Sequence, residues 1–175
     1  GALGDGGAIT VHDAALAGRL RRTSNGGQRT TYQHDEFGVN SRLDEMQAAI
    51  LRERLQRLPA WTQQRRALAA HYRMRLEGAP VHVPREFDAG HVYHLFVVRT
   101  AQREAFRAHL ASQGVQTLIH YPKALTQQPA IQSEAPAACP HAEQAASEVC
   151  SLPLYPSLSM ADAELVASAV MSFRP

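Results

Sequence analysis

The chain has 175 residues with 18 basic and 16 acidic side chains, a net charge of +2. It is long enough for a real core and has no charge excess that demands nucleic acid or an anionic membrane. No run approaches the ~20 apolar residues of a membrane span, and no signal-peptide pattern is read. Cys139 and Cys150 lack metal or framework spacing, so free thiols in the cytoplasm are expected. The basic side is almost all arginine, Lys123 being the only lysine.

The opening Gly1–Thr10 reads like the middle of a domain, a Gly-rich turn running into an apolar strand at residues 7–11. The chain is therefore expected to begin part-way through a larger fold. Asp13 opens a short helix, Ala14 to Arg22, which Asn25-Gly26-Gly27 ends. Residues 28–38 are polar and irregular. From Ser41 a long helix is predicted, with Leu43, Met46, Ile50, Leu55 and Leu58 near helical spacing. Ser41 is its expected cap, with Asp44 and Glu45 in the first turn. Free amides there, beside the Asn40 amide and the Arg42 guanidinium, suit a phosphate, although a capped core helix with a solvated Arg explains the same residues. Pro59 ends that helix and fits the start of a second, running to Leu76 with Trp61, Leu68, Ala69, Tyr72 and Leu76 as its apolar side.

Val92 to Arg99 is the strongest strand by β-branched and aromatic content. Gln102 to Gln113 reads as a helix closed by Gly114, and Val115 to Ile119 as a second strand. Residues 120–139 form a long Pro/Gln/Ala-rich loop, a length that often carries function. His141 to Cys150 and Ala161 to Phe173 read as helices around Ser-Leu-Pro-Leu-Tyr-Pro at 151–156. This order makes a small α/β layer.

Taken alone, no piece names a chemistry. Gly4-Asp5-Gly6-Gly7 lacks the Lys-Ser/Thr of a phosphate loop and reads as a tight turn. His91 and His94 would fall on opposite faces of a strand, which argues against a metal pair and makes His94 a core or pocket-wall residue. Glu45 and Glu53 interleave with the arginines from Arg52 to Arg75 and no aromatic stacking platform accompanies them, so they read as a solvated helix face rather than a nucleic-acid surface. His120-Tyr121-Pro122, at a strand end and stiffened by proline, can line a pocket.

Together and in order, the segments at 1–8, 38–51, 92–99, 120–122 and 151–156, with Trp61, Arg65 and Tyr72, resemble the DegT/DnrJ/StrS family of nucleotide-sugar aminotransferases. The resemblance implies an α/β fold of the type I aminotransferase kind. Residues 1–80 would be the end of the large domain that binds pyridoxal 5'-phosphate (PLP) and the linking helices, and residues 81–175 a small C-terminal α/β domain. The implied function is transamination of a nucleotide-linked keto-sugar, with Glu or Gln as donor, in a homodimer that shares its sites across the interface. It implies that Asn40 and Ser41 bind the PLP phosphate of the neighbouring subunit, and that Arg42, His94, His120 and Tyr121 lie on the substrate side.

Two departures accompany the resemblance. The Schiff-base lysine would lie three residues before Gly1, and Lys123 sits in the sugar-side loop, so this chain by itself is expected not to transaminate. In the loop, Ala124 and Thr126 stand where the family pattern has proline and histidine, which removes a titratable group. A sugar dehydratase of the same fold and a non-catalytic dimerising fragment remain the alternative readings.

Overall fold

The computed structural model describes residues 3–132 and 137–175. They form two compact units, Gly1–Leu58 and Pro59–Pro175.

The first unit starts with extended chain and α1 (Ala14–Ser24). As expected, Asp13 caps this helix, its Oδ1 accepting from the amides of Ala15 at 2.8 Å and Leu16 at 3.3 Å. The helix ends where Gly26 and Gly27 take φ of 67° and 77°, a region that costs a side chain about 1 kcal/mol. A bulged antiparallel hairpin follows, β1 (Gln28–Thr30) with β2 (Gln33–His34), in a stretch expected to be irregular. The chain then returns beside the end of α1. The amide of Val39 donates to the Thr23 carbonyl at 2.7 Å, that of Ser41 to Ser24 at 2.9 Å, and that of Gly26 to Val39 at 3.0 Å.

These bonds move the helix start predicted at Ser41. The backbone of 39–41 is committed to pairing, so α2 runs only from Glu45 to Leu55, after an extended Asp44 whose side chain does not cap it. The strand expected at 7–11 is also absent, because no described segment lies in register to bond it, and Ile9 is 72% exposed. Within residues 3–58 the only buried residue is Gly27.

The second unit has a core. It opens on α3 (Leu58–Arg75), with Pro59 in its first turn, and continues through β3 (Phe96–Arg99) and α4 (Arg103–Ser112). The predicted loop contains a 3-10 turn at Leu125–Gln127 and the short α5 (Pro129–Gln132), and residues 133–136 of it lie outside the described residues. After α6 (Pro140–Glu148) come β4 (Val149–Leu152) and α7 (Met160–Ser172).

β3 and β4 are antiparallel, with Phe96 opposite Leu152 and Val98 opposite Cys150. That puts Phe96, Val98, Cys150 and Leu152 on one face, packed with Leu68 and Tyr72 of α3, Phe106 and Leu110 of α4, and Val170 of α7. Each such side chain, fully buried, contributes roughly 1.5–3 kcal/mol. The Tyr72 ring lies 5.0 Å from Phe96 and its hydroxyl donates to the Pro153 carbonyl at 2.9 Å; burial raises this phenol well above its ordinary pKa.

Three elements differ from expectation here. The helix predicted to Cys150 stops at Glu148, because the β-branched Val149 and buried Cys150 belong to β4. Residues 115–119 give a single bridge, Leu118 to Ser151, rather than a strand. The strand predicted from Val92 starts at Phe96, since the carbonyls before it are taken by arginines of α3, described below.

Carboxylates tie the elements together. Glu148 receives Gln144 at 2.9 Å and Arg99 at 2.7 Å, and Glu164 receives Arg75 at 2.5 Å. Those bonds hold both carboxyls below the ordinary value of 4.5. A carboxyl depressed in the fold adds stability above its unfolded pKa, and that stability is lost as pH falls through the folded value. Acidification below about pH 4.5 should therefore weaken the protein, and E148Q should flatten the acid limb of a thermal-melt-versus-pH curve. An unchanged acid limb would show that Glu148 is uncoupled from folding.

Candidate functional site

A cleft of about 900 Å³ opens in the first unit. One wall is Asp5 to Ile9; the other is Asn40 to Asp44, with Leu20, Arg21 and Ser24 of α1. Asn40 is held in an antiparallel bridge to Asn25, and its Oδ1 accepts from Arg42 Nε at 3.2 Å. The oxygen of this amide is therefore engaged and its NH₂ is the end left to donate. Arg42 and Arg21 bring two cations and Ser24 and Ser41 two hydroxyls, against the carboxylates of Asp5 and Asp44.

The expectation that Ser41 offers a free amide at a helix start is corrected. Its N–H goes to Ser24, and the helix begins four residues later. Arg21 and Ser24 were missed by sequence reasoning, although their spacing of three on α1 puts them on one face.

The Asn40 segment is clamped by close backbone packing. A Cβ on Gly27 would lie 1.7 Å from the Glu36 carbonyl oxygen, and one on Gly38 2.2 Å from the Gly27 nitrogen. Arg22 Nε donates to Glu36 Oε1 at 3.0 Å across the same loop.

In the second unit a cavity of about 590 Å³ is walled by Leu95, Leu118, His120, Ser151, Tyr155 and Asp162, among others. His120 Nδ1 lies 2.9 Å from the hydroxyl of Ser151, which is 4% exposed. Tyr121 is 73% exposed and meets the His120 ring edge-on at 5.7 Å, outside the cavity wall. His94 is exposed and lines neither space, contrary to its expected place in a core or pocket wall. Thr126, standing where the family pattern has histidine, donates to Glu143 at 3.3 Å rather than facing this cavity.

The arginines of α3 are not the solvated face expected of them. Arg65 Nη1 donates to the carbonyls of His94 at 3.0 Å, Tyr93 at 3.2 Å and Leu154 at 3.2 Å. Arg66 Nε holds the His91 carbonyl at 2.9 Å, and Arg73 bonds the Pro84 carbonyl at 2.8 Å and the Tyr93 hydroxyl at 3.2 Å. Tyr93, whose hydroxyl donates to Glu86, is buried at a φ of 49°. The grip of these side chains offsets a backbone cost of about 1 kcal/mol or more. His91 and His94 lie on this clasped turn, not on a strand.

Among the described residues no group of three or more His, Cys, Asp or Glu could hold a metal, and no helix is long and apolar enough to cross a membrane. Residues 2–171 match the model of the DegT/DnrJ/EryC1/StrS aminotransferase family. The chain belongs to that family. Among DegT/DnrJ/EryC1/StrS relatives, the dTDP-3-amino-3,4,6-trideoxy-alpha-D-glucose transaminase of Streptomyces venezuelae is 46% identical over 97% of this chain and 46% of its own length. The dTDP-3-amino-3,6-dideoxy-alpha-D-galactopyranose transaminase of Aneurinibacillus thermoaerophilus is 48% identical over 94% of this chain and 46% of its own. The chain thus spans about half the length of the curated relatives it matches.

Two solved structures of the family carry the same fold. DesV of S. venezuelae, in complex with a ketimine intermediate, superposes with a TM-score of 0.87 at 45% identity, over 91% of this chain and 44% of that one. NtdA of Bacillus subtilis, with bound cofactor PMP, gives 0.80 at 30% identity, over 90% of this chain and 39% of that one. The α/β fold of the sugar aminotransferases, expected from the sequence, is borne out.

Proposed function

We propose that the protein carrying this chain is a PLP-dependent aminotransferase that moves an amino group from Glu or Gln to a keto carbon of a nucleotide-linked sugar, as a homodimer in the cytoplasm. The supporting relatives are named transaminases of dTDP-amino-deoxysugars. In this reading residues 1–80 complete the PLP domain and residues 81–175 form the small domain.

The observation that carries the reading is the cleft of the first unit. Its donor set fits a phosphate monoester: the Asn40 NH₂, the Ser41 hydroxyl and two guanidinium groups line one wall, while the Asn40 oxygen is turned to Arg42 and the Ser24 hydroxyl to the Arg21 carbonyl. Asn40 and Ser41 would hold the phosphate, and Arg42, at the cleft edge, the phosphate or the nucleotide. PLP bound there supplies an electron sink for the carbon from which the amino group departs. This chain's share is to fix the phosphate end, so that the reactive end is aimed without a search. In the second unit His120, on the cavity wall, would meet the sugar. Lys123 is exposed on the 120–132 loop and takes no part in the cofactor cleft.

Replacing Asn40 by Ala removes one hydrogen bond to a charged group, worth about 1.5 kcal/mol, so the PLP Kd should rise about tenfold. Cofactor retention on gel filtration, followed by the absorbance of bound PLP, measures it in the whole gene product. Retention equal to wild type would remove Asn40 from the phosphate site. Absence of amino transfer from Glu or Gln to any dTDP- or UDP-linked keto-sugar would remove the activity.

A further inference from the structure

Among the described residues Ser151 is the one buried polar side chain that lines the cavity of the second unit, and it has no part in the reading above. Its backbone is fixed twice by Leu118, through N–H to carbonyl at 2.8 Å and carbonyl to N–H at 3.3 Å, and it sits opposite Val97 in the β3–β4 ladder. The side chain cannot wander, being 4% exposed, and its hydroxyl lies 2.9 Å from His120 Nδ1. The two nitrogens of an imidazole lie on opposite sides of the ring's Cε1. With Nδ1 tied to Ser151, Nε2 is the nitrogen left for a ligand, and among the described residues it has no hydrogen-bond partner.

We propose that Ser151 is the positioning residue of the sugar side: it holds the His120 ring in the cavity wall and leaves Nε2 to bond a sugar hydroxyl or carbonyl oxygen. The inference rests on the proposed sugar-side role of His120. The choice of a hydroxyl has a chemical consequence. A backbone carbonyl or carboxylate at Nδ1 only accepts, and so would force neutral His120 to present a bare Nε2 lone pair. The Ser151 hydroxyl rotates. When it donates to Nδ1, Nε2 carries the proton and donates outward. When it accepts from Nδ1–H, Nε2 is an acceptor, or a donor again if the ring is charged. One anchor therefore serves a ligand oxygen of either kind, and the ring need not move between them. Tyr121 is in edge contact with the ring, and Tyr155 and Asp162 are the other ionisable groups on this wall.

The test compares S151A, S151T and H120Q in the whole gene product. Kinetics with the nucleotide keto-sugar and with the amino donor separately are read beside a crystal structure of S151A. S151A is expected to raise the KM for the sugar about tenfold, a larger factor than any change in the amino-donor half-reaction, with the His120 ring in more than one rotamer. S151T, which keeps the hydroxyl, should restore both. If H120Q leaves the sugar KM at its wild-type value, the sugar-side reading of His120 fails, and this proposal with it. If H120Q raises that KM but S151A leaves ring and KM unchanged, the positioning role alone is overturned. Equal losses in both half-reactions with a lowered melting temperature would make Ser151 a folding residue and overturn it as well.

Discussion

An alanine at Gly27 should cost ~3 kcal/mol and release the segment that carries Asn40. The new Cβ would meet the Glu36 carbonyl oxygen at 1.7 Å, at a backbone φ of 77°. That oxygen is backbone, not part of a side chain that can swing aside. The loop must open, and with it go the bonds that join Asp35 to Gly27 and Val39 to Thr23. Hydrogen exchange at the Val39 and Ser41 amides should accelerate by two orders of magnitude for that loss, and PLP retention should fall at least as far as in N40A. Gly26 provides the control. Its φ of 67° is similar, but an added Cβ has nothing nearer than 3.7 Å, so G26A should cost only about 1 kcal/mol. Equal effects at the two glycines would mean that backbone angle, not close approach, fixes the loop.

Arg65 to alanine should be nearly as damaging, in the other unit. One guanidinium nitrogen serves the carbonyls of Tyr93, His94 and Leu154. Bonds from a charged donor are worth ~1.5–3 kcal/mol, and the orphaned acceptors add their desolvation, so a loss of ~3 kcal/mol is expected. The lysine variant should recover less than half of it, because its ammonium, on a shorter and flexible stem, must be ordered to reach carbonyls placed for the longer arginine. By contrast R75A, which breaks only the exposed pair with Glu164, should move the midpoint far less. Chemical denaturation of the three variants decides the order, and an R65A midpoint at or above that of R75A would refute the clasp.

Much of the fold was legible because it was written locally. The Asp13 cap, the Gly26-Gly27 stop, the Leu68–Tyr72 stripe of α3 and the Gly114 end of α4 need only neighbours in sequence. What failed was set by distant partners. Ser41 is a good cap residue in isolation, but Ser24 takes its amide. Val92 to Leu95 have strand composition, but Arg65 takes the carbonyls of Tyr93 and His94, and Arg66 that of His91 just before them, which keeps this stretch out of the ladder. Of the candidate site, Asn40, Ser41 and Arg42 came together as one wall because they are contiguous. Ser151 stayed invisible because its partner His120 is thirty-one residues away and only the β4–Leu118 pairing joins them.

Within residues 3–58 only Gly27 is buried, while residues 59–175 close over a full apolar cluster. Heat capacity follows apolar burial, so the two should answer temperature differently. Residues 59–175 should show a large positive heat-capacity change on unfolding, a domed stability curve and a loss of stability on cooling. The bracket around Asn40 is held by backbone hydrogen bonds, so its opening free energy should run almost straight with temperature. On chilling, the bracket around Asn40 should therefore outlast the packing behind His120.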